Sequence, residues 1–475
     1  MTRRLPLLTI LLSAAAVSAD EFTVRITPTE SETFEAAVYG QSEAGDLALI
    51  KADGSLVLTP PGAVTDRKPG EDPTPLTHEE MADKLRERFG EDLTRTHIAE
   101  PFVVALKLAA PIDPDREPFL ERFFTEVEKF VLKFDDDFST WSEDMGLPNE
   151  EPAYPLVMVI FETDEDFEVY AKEMMGDRGL SAGVVSGFYS GNNNWLAVRL
   201  DECDNFQLPL HEGIHQQVYN RGWYKRAASV PKWFNEGIAT GFEADGNKLR
   251  GDPRRVSAEY ATRSSGPMEL SFGDVIRDDS SFGGDVTAGE AYTRAWALHW
   301  LVVNDRKEEY VRFVKELGKR NPLDTVAEDD RVATFESTFN LKLDELQPLY
   351  ERELVTAARK QRVKPVRRGP DGRSTKQDQG GLTSVFVSTD GAAIRAYGEL
   401  RNISPFRALD FRVRVEPSGS APIEWIVEGL APRRKTRLKP KVMAASAKTF
   451  RVEVQSALPG SEKSKSWGRV PFATQ

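Results

Sequence analysis

Beyond its first 19 residues the chain opens on apolar and polar positions that alternate with a period of two. FTVRI, FEAAVYG, DLALI and SLVLT read as short strands, with Asp53-Gly54 as a hairpin turn. They predict a small β-rich module over residues 20–72, closed by the loop TDRKPGEDPTP. The period then changes. Thr77 and Glu80 carry the capping-box spacing of a helix that stops near Gly90. PFVVALKL and YPLVMVIF are apolar strands, and REPFLERFFTEVEKFVLKF repeats its apolar residues every three or four positions, as a long amphipathic helix does. EDFEVYAKEMM is helical, GFYSGNNNWLAVRL reads as strand, turn and strand, and helices alone follow. This order predicts an α+β fold for residues 73–358, a small sheet on one side of a helical half. Residues 359–383 are charged and without apolar periodicity, and so form a basic linker. Over residues 384–475 the alternation returns in SVFVST, AAIRAYGEL, LDFRVRVE, IEWIVEGL, TRLKP and KTFRVEVQ, which predicts an Ig-like β-sandwich.

A length of 475 residues agrees with several cores rather than one. Residues 1–19, MTRRLPLLTILLSAAAVSA, have a basic start, an apolar run and small residues at the end, the pattern of a signal peptide cleaved before Asp20. The residue after that cut is not a cysteine that would carry a lipid. No later stretch approaches 18 consecutive apolar residues, so no transmembrane anchor is expected and the mature chain should be secreted or periplasmic. Cys203 is the single cysteine, which excludes an internal disulfide framework and fits a bacterial envelope better than a stapled ectodomain.

The net charge of −14 hides an asymmetry. Residues 359–475 hold 24 Lys and Arg against 10 Asp and Glu, a net of +14, and with +2 in the first 19 residues the span 20–358 carries −30. The basic end either docks on an anionic partner, such as a glycan or an envelope surface, or packs on its own acidic body. Nucleic acid is not the expected partner.

The chemistry concentrates in LPLHEGIHQQVYNRGW. On a helix, His211 and His215 lie one above the other and can offer two imidazoles to one ion, while Glu212 stands next to the first. This is the His-Glu-x-x-His arrangement of zinc peptidases. Pro209 is tolerable in a first helical turn, and Gly213 costs about 1 kcal/mol relative to alanine, so packing or metal must offset it. A second helix, VPKWFNEGIATGFE, starts at Pro231 and presents Glu236, 21 residues after His215. Two histidines and one carboxylate leave a fourth tetrahedral position open, as a catalytic zinc site requires.

HEGIH followed by WFNEGIATGFE resembles the gluzincins, zinc peptidases whose third ligand is a glutamate. The second motif is similar to the W-L-N-E-G-F-A-x-Y-x-E run of the zinc aminopeptidases, and residues 75 to 356 as a whole resemble a group of secreted bacterial peptidase-like domains of that clan. The resemblance implies a thermolysin-like zincin domain with one zinc ion per chain held by His211, His215 and Glu236, and with Glu212 as general base. It makes Glu243 the group that orients a ligand histidine and puts Asn235 beside the ligand glutamate. In AYTRAWALHWLV it makes Tyr292 the donor to the developing oxyanion, with Arg294 and His299 as runners-up. The Gly-x-Met-Glu-Asn motif that grips a free amine in aminopeptidases is missing. GFYSGNNNW stands in its place, so an endopeptidase acting on protein or peptide is expected rather than an aminopeptidase. The alternative is a non-catalytic envelope scaffold working through the basic β-sandwich. His78 and His97 are expected to be structural or solvent-facing, and Trp195, Trp223 and Trp233, which flank the motifs, either to line a cleft or, by default, to pack in the core.

Overall fold

In the computed structural model, residues 20–176, 185–243, 251–283, 287–364, 383–390, 393–417, 421–443 and 450–459 are described. The expected signal peptide and most of the expected linker lie outside them. The N-terminal region consists of β1 (Glu21–Thr27), β2 (Glu30–Glu35), β3 (Ala37–Gln41), β4 (Leu47–Ile50), β5 (Leu56–Thr59) and β6 (Val64–Lys68). They form two small antiparallel sheets, ordered β2-β1-β6 and β3-β4-β5, around Phe22, Val24, Ala36, Leu49 and Ala63. Strand β6 takes the first part of the stretch expected to be a loop. Its side chains are almost all exposed, so its sequence carries no alternation, and it is held by backbone pairing to β1.

Helix α1 (His78–Phe89) starts on the capping box foreseen at Thr77 and Glu80 and ends at Gly90, whose φ of 95° favours glycine. Then come β7 (Thr94–Ala99), β8 (Phe102–Lys107), α2 (Glu117–Met145), β9 (Leu156–Phe161), α3 (Asp164–Met175), β10 (Gly187–Ser190) and β11 (Trp195–Arg199). The five strands make one sheet in the order β10-β11-β9-β8-β7. Strands β8, β9 and β11 run parallel, and the edge strands β7 and β10 are antiparallel to their neighbours.

The central strands are apolar throughout because both faces of the sheet are covered. Val103, Ala105, Val157 and Val159 face α1 and α3, while Phe102, Val104, Leu106, Met158 and Ile160 face α2 and the main core. The sheet is thus sandwiched rather than laid on one side of a helical half. TRTHIA, which the strand pattern above passes over, is edge strand β7 itself. Its polar composition suits an edge, and His97 within it bonds Glu128 at 2.9 Å and stacks on Phe124.

The helical half follows as α4 (Gln207–Asn220), α5 (Lys232–Phe242), α6 (Ala258–Ser264), α7 (Phe272–Arg277), α8 (Ala288–Asp305), α9 (Lys307–Leu317), α10 (Glu328–Phe339) and α11 (Leu343–Lys360). Trp223, Trp233, Trp296 and Trp300 are buried in its core, and Trp195 is buried on the sheet. No helix among the described residues is long and apolar enough to cross a membrane.

The C-terminal strands are β12 (Thr383–Asp390), β13 (Ala393–Arg401), β14 (Leu409–Pro417), β15 (Ile423–Leu430), β16 (Lys435–Met443) and β17 (Phe450–Ala457). They pair as β12-β13-β16 and β15-β14-β17, and Leu400, Leu409, Phe411, Val413, Trp425 and Leu438 fill one core between the two sheets. This unit meets the acidic body through arginines. Arg407 lies buried against Glu162, Arg401 makes a two-pronged pair with Asp204 at 2.6 and 2.8 Å, and Arg433 pairs with Glu126. Part of the charge asymmetry is therefore spent inside the molecule.

Candidate metal centre

Helix α4 lacks a capping side chain at Phe206. Instead the Asn205 carboxamide accepts the Gln207 N–H at 2.9 Å, and Pro209, third in the helix, gives up an N–H that would have had no helical partner. Gln216 fixes the helix to the sheet, its Nε2 donating to the carbonyls of Val157 and Asn194 at 3.1 and 2.8 Å. Gly213 faces α2: a Cβ there would sit 2.9 Å from the Phe134 ring, so close packing accounts for the glycine. One turn of α4 thus places His211 and His215, both buried, with ring centroids 4.9 Å apart.

Helix α5 crosses α8 so closely that a Cβ on Gly237 would lie 2.6 Å from His299 Cβ and 2.7 Å from the Ala295 carbonyl. The neighbouring Glu236 is thereby turned toward α4. Its Oε2 lies 3.1 Å from His211 Nε2 and 3.4 Å from His215 Nε2, and the two Nε2 atoms are 3.3 Å apart. Three lone-pair atoms facing one another repel unless a proton or a metal ion sits among them. Ligands about 2.0–2.1 Å from a tetrahedral zinc stand roughly 3.3 Å from each other, so the spacing suits that ion.

Glu243, just past the end of α5, accepts from His211 Nδ1 at 2.8 Å and from the Tyr260 hydroxyl at 2.9 Å. A carboxylate can only accept, so Nδ1 carries the proton and the Nε2 lone pair points at the cluster. His215 Nδ1 is buried without a hydrogen-bond partner among the described residues, so only one imidazole is oriented from behind. Burial opposes a charge on His211, but Glu236 and Glu243 outweigh it and hold its pKa well above the ordinary value, so without a metal ion a proton takes the place on Nε2 that the metal would occupy. Glu236 is likewise opposed by burial, yet His215 and His211 bring it well below the usual carboxylate range.

Glu212 lies beside the cluster, with Oε2 accepting the Tyr189 N–H of edge strand β10 at 2.9 Å, and burial raises its pKa. Tyr292, on the turn of α8 before Ala295, has its ring 6.0 Å from that of His211, and burial raises its pKa too. Glu202, Asn205, Gln207, Leu208, His211, Glu212, Glu243 and Tyr292 line an open cleft of about 350 Å3.

Of the other residues singled out, Asn235 accepts from the Tyr224 hydroxyl at 2.8 Å. Arg294 is taken up by the Leu270 carbonyl and Gln347, and His299 meets the Tyr310 hydroxyl at 2.9 Å, its pKa pushed by burial down to about 3. Neither belongs to the cleft. His78 stands 4.0 Å from Glu100, far from the site in sequence. Tyr189 and Tyr260 escaped the sequence reading. One acts through its backbone and the other through a carboxylate 17 residues away, and neither leaves a mark on residue type.

Residues 209–324 match a family described as a protein of unknown function, DUF1570, a span that holds the three clustered residues, Glu212, Glu243 and Tyr292. Among solved structures, the ZmpB metallopeptidase from Clostridium perfringens aligns over 92% of this chain and 87% of its own, at 10% identity and a TM-score of 0.30, a likeness too low to transfer an activity. No curated protein matches the chain.

Proposed function

We propose that the chain is a secreted zinc-dependent metallopeptidase of the gluzincin type with a thermolysin-like zincin domain, acting as an endopeptidase on protein or peptide. The observation that carries the reading is the convergence of His211, His215 and Glu236, with ligand atoms 3.1 to 3.4 Å apart, beside an open cleft that His211 and Glu212 line. The donor set favours zinc, since two imidazoles and a carboxylate leave room for a fourth ligand. Bound zinc supplies Lewis acidity and a nucleophilic water at neutral pH.

The chain's own residues do the rest. Glu212 takes the proton of the attacking water and returns it to the leaving amine. The Tyr189 N–H holds one Glu212 oxygen and leaves the other for the water. Tyr292 donates its hydroxyl to the oxygen that gains charge as the carbonyl is attacked. The run from Gly187 to Asn194, along β10 and its turn, bears no carboxylate to grip a substrate's amino terminus, which supports internal cleavage. Retention of Glu212, which a scaffold would not need, supports an enzyme over the envelope-scaffold alternative.

Elemental analysis of the mature chain tests the reading. Wild type is expected to hold about one zinc, and Glu236→Ala to lose it, because two imidazoles alone make a poor site. Wild type without zinc after supplementation at neutral pH would sink the proposal. Glu243→Ala should keep the ligands but weaken zinc binding about 10–100-fold, read by competition with a chromophoric chelator, because His211 loses the group that fixes its ring. An unchanged affinity would remove Glu243 from the site.

A further inference from the structure

Arg226 lies in the connector between α4, which carries the histidines, and α5, which carries Glu236. It is 3% exposed, and among the described residues no carboxylate lies within ion-pair distance of it. Burying a guanidinium with no counter-charge among the described residues is costly, and an apolar side chain would fill the space more cheaply. Its contacts are specific. One guanidinium N–H donates to the Gly191 carbonyl at 3.1 Å, in the turn that ends edge strand β10. Its own backbone N–H donates to the Tyr39 hydroxyl at 3.0 Å, and its guanidinium lies over the Tyr39 ring at 5.6 Å.

Tyr39 belongs to β3 of the N-terminal region, which reaches the same turn a second time, through the Leu56 N–H on the Asn192 carbonyl at 2.6 Å. The turn is therefore gripped from both sides, two residues beyond the Tyr189 N–H that holds Glu212. The N-terminal region also rests on the helical half, with Gly40 against Pro322 and the Glu43 N–H on Asp324 at 2.8 Å.

We propose that Arg226, with Tyr39 and Leu56 of the N-terminal region, is a positioning residue that locks the β10 turn and so keeps the Tyr189 N–H on Glu212. The N-terminal strands are then a working part of the site. The inference rests on the proposed peptidase activity only for its kinetic consequence. The clamp itself is a statement about backbone order.

Hydrogen exchange of the full mature chain, read on peptides covering residues 187–194, tests it beside steady-state kinetics on a peptide substrate. Arg226→Met should speed exchange there about 10-fold or more, while peptides from β8 and β9 stay unchanged. The same variant should lower kcat about 10-fold with little change in KM and with zinc still at about one per chain, because a misplaced base costs rate rather than binding. Arg226→Lys, which keeps a donor for Gly191, should recover part of both effects. Tyr39→Phe, which keeps the ring but removes the acceptor, should move exchange in the same direction and guards against a variant that fails to fold. Unchanged exchange over 187–194, or a rise spread evenly over the sheet, would overturn the clamp. An inactive wild type would defeat the peptidase reading alone, since the exchange result stands without it.

Discussion

Glu212→Gln is expected to lower kcat on a peptide substrate by about 10²–10⁴, the usual contribution of a general base, while zinc stays at about one per chain. The substitution is chosen for what it preserves. A glutamine carbonyl oxygen can still accept the Tyr189 N–H at the place where Oε2 now does, so β10 and α4 keep their relation. The clustered atoms belong to His211, His215 and Glu236, and Glu212 supplies none of them, so the proposed metal site is left whole. What glutamine cannot do is take a proton from water and pass it on. Wild-type turnover in the variant would dismiss Glu212 as the base. Loss of zinc together with activity would assign it a structural part in holding the ion. A scaffold protein would lose nothing in either measurement, so this variant separates the enzyme from the envelope-scaffold alternative.

The same contrast shows why some of the site was legible in sequence and some was not. His211 and His215 are four apart on a helix, so the helical period alone puts their rings on one face. The neighbouring run WFNEG names a second helix and its carboxylate. Residue type and spacing carry that information. The clamp on β10 is different, because the Tyr189 and Leu56 N–H groups and the Gly191 and Asn192 carbonyls are backbone atoms that every residue type offers. Gly213 was visible as a cost without a reason, and the reason, the Phe134 ring, comes from a helix nearly 80 residues earlier. Gly237 is similar, since only the crossing with α8 shows why a side chain there would push Glu236 away. In the fold, the strands that were missed or misjudged, β2, β6 and β7, are edges. An edge strand is held by backbone pairing and keeps polar side chains, so it lacks the alternation by which buried strands announce themselves. Strands β8, β9 and β11 were plain because both of their faces are buried.

Arg407→Met is expected to cost about 3–5 kcal/mol of stability by urea denaturation, because it leaves a buried carboxylate without its counter-ion. Glu162 is fully buried on the body, where it accepts from Arg407 of the C-terminal sheets and from the Ala109 N–H at 2.8 Å. Arg407 also donates to the carbonyls of Ala110 and Pro111, so one side chain makes several of the contacts between the two units. Glu162→Gln together with Arg407→Met should recover most of the loss, since neither buried charge then remains. The sign of the pH dependence follows from Glu162. Burial raises its folded pKa above the ordinary 4.5 even with Arg407 pulling it down, and removing the arginine raises it further. A carboxyl with a raised folded pKa binds more protons folded than unfolded, so stability falls as pH rises from about 4.5 through the folded value. The deficit of the single variant should therefore be largest at neutral pH and shrink on acidification toward pH 5, where the stranded carboxyl is neutralised. A cost below about 1 kcal/mol, or one that grows on acidification, would show that this pair behaves as a surface contact. With Arg401 and Arg433 also spent on Asp204 and Glu126, the pair decides how much of the basic end serves the acidic body beneath it and how much is left for a partner outside.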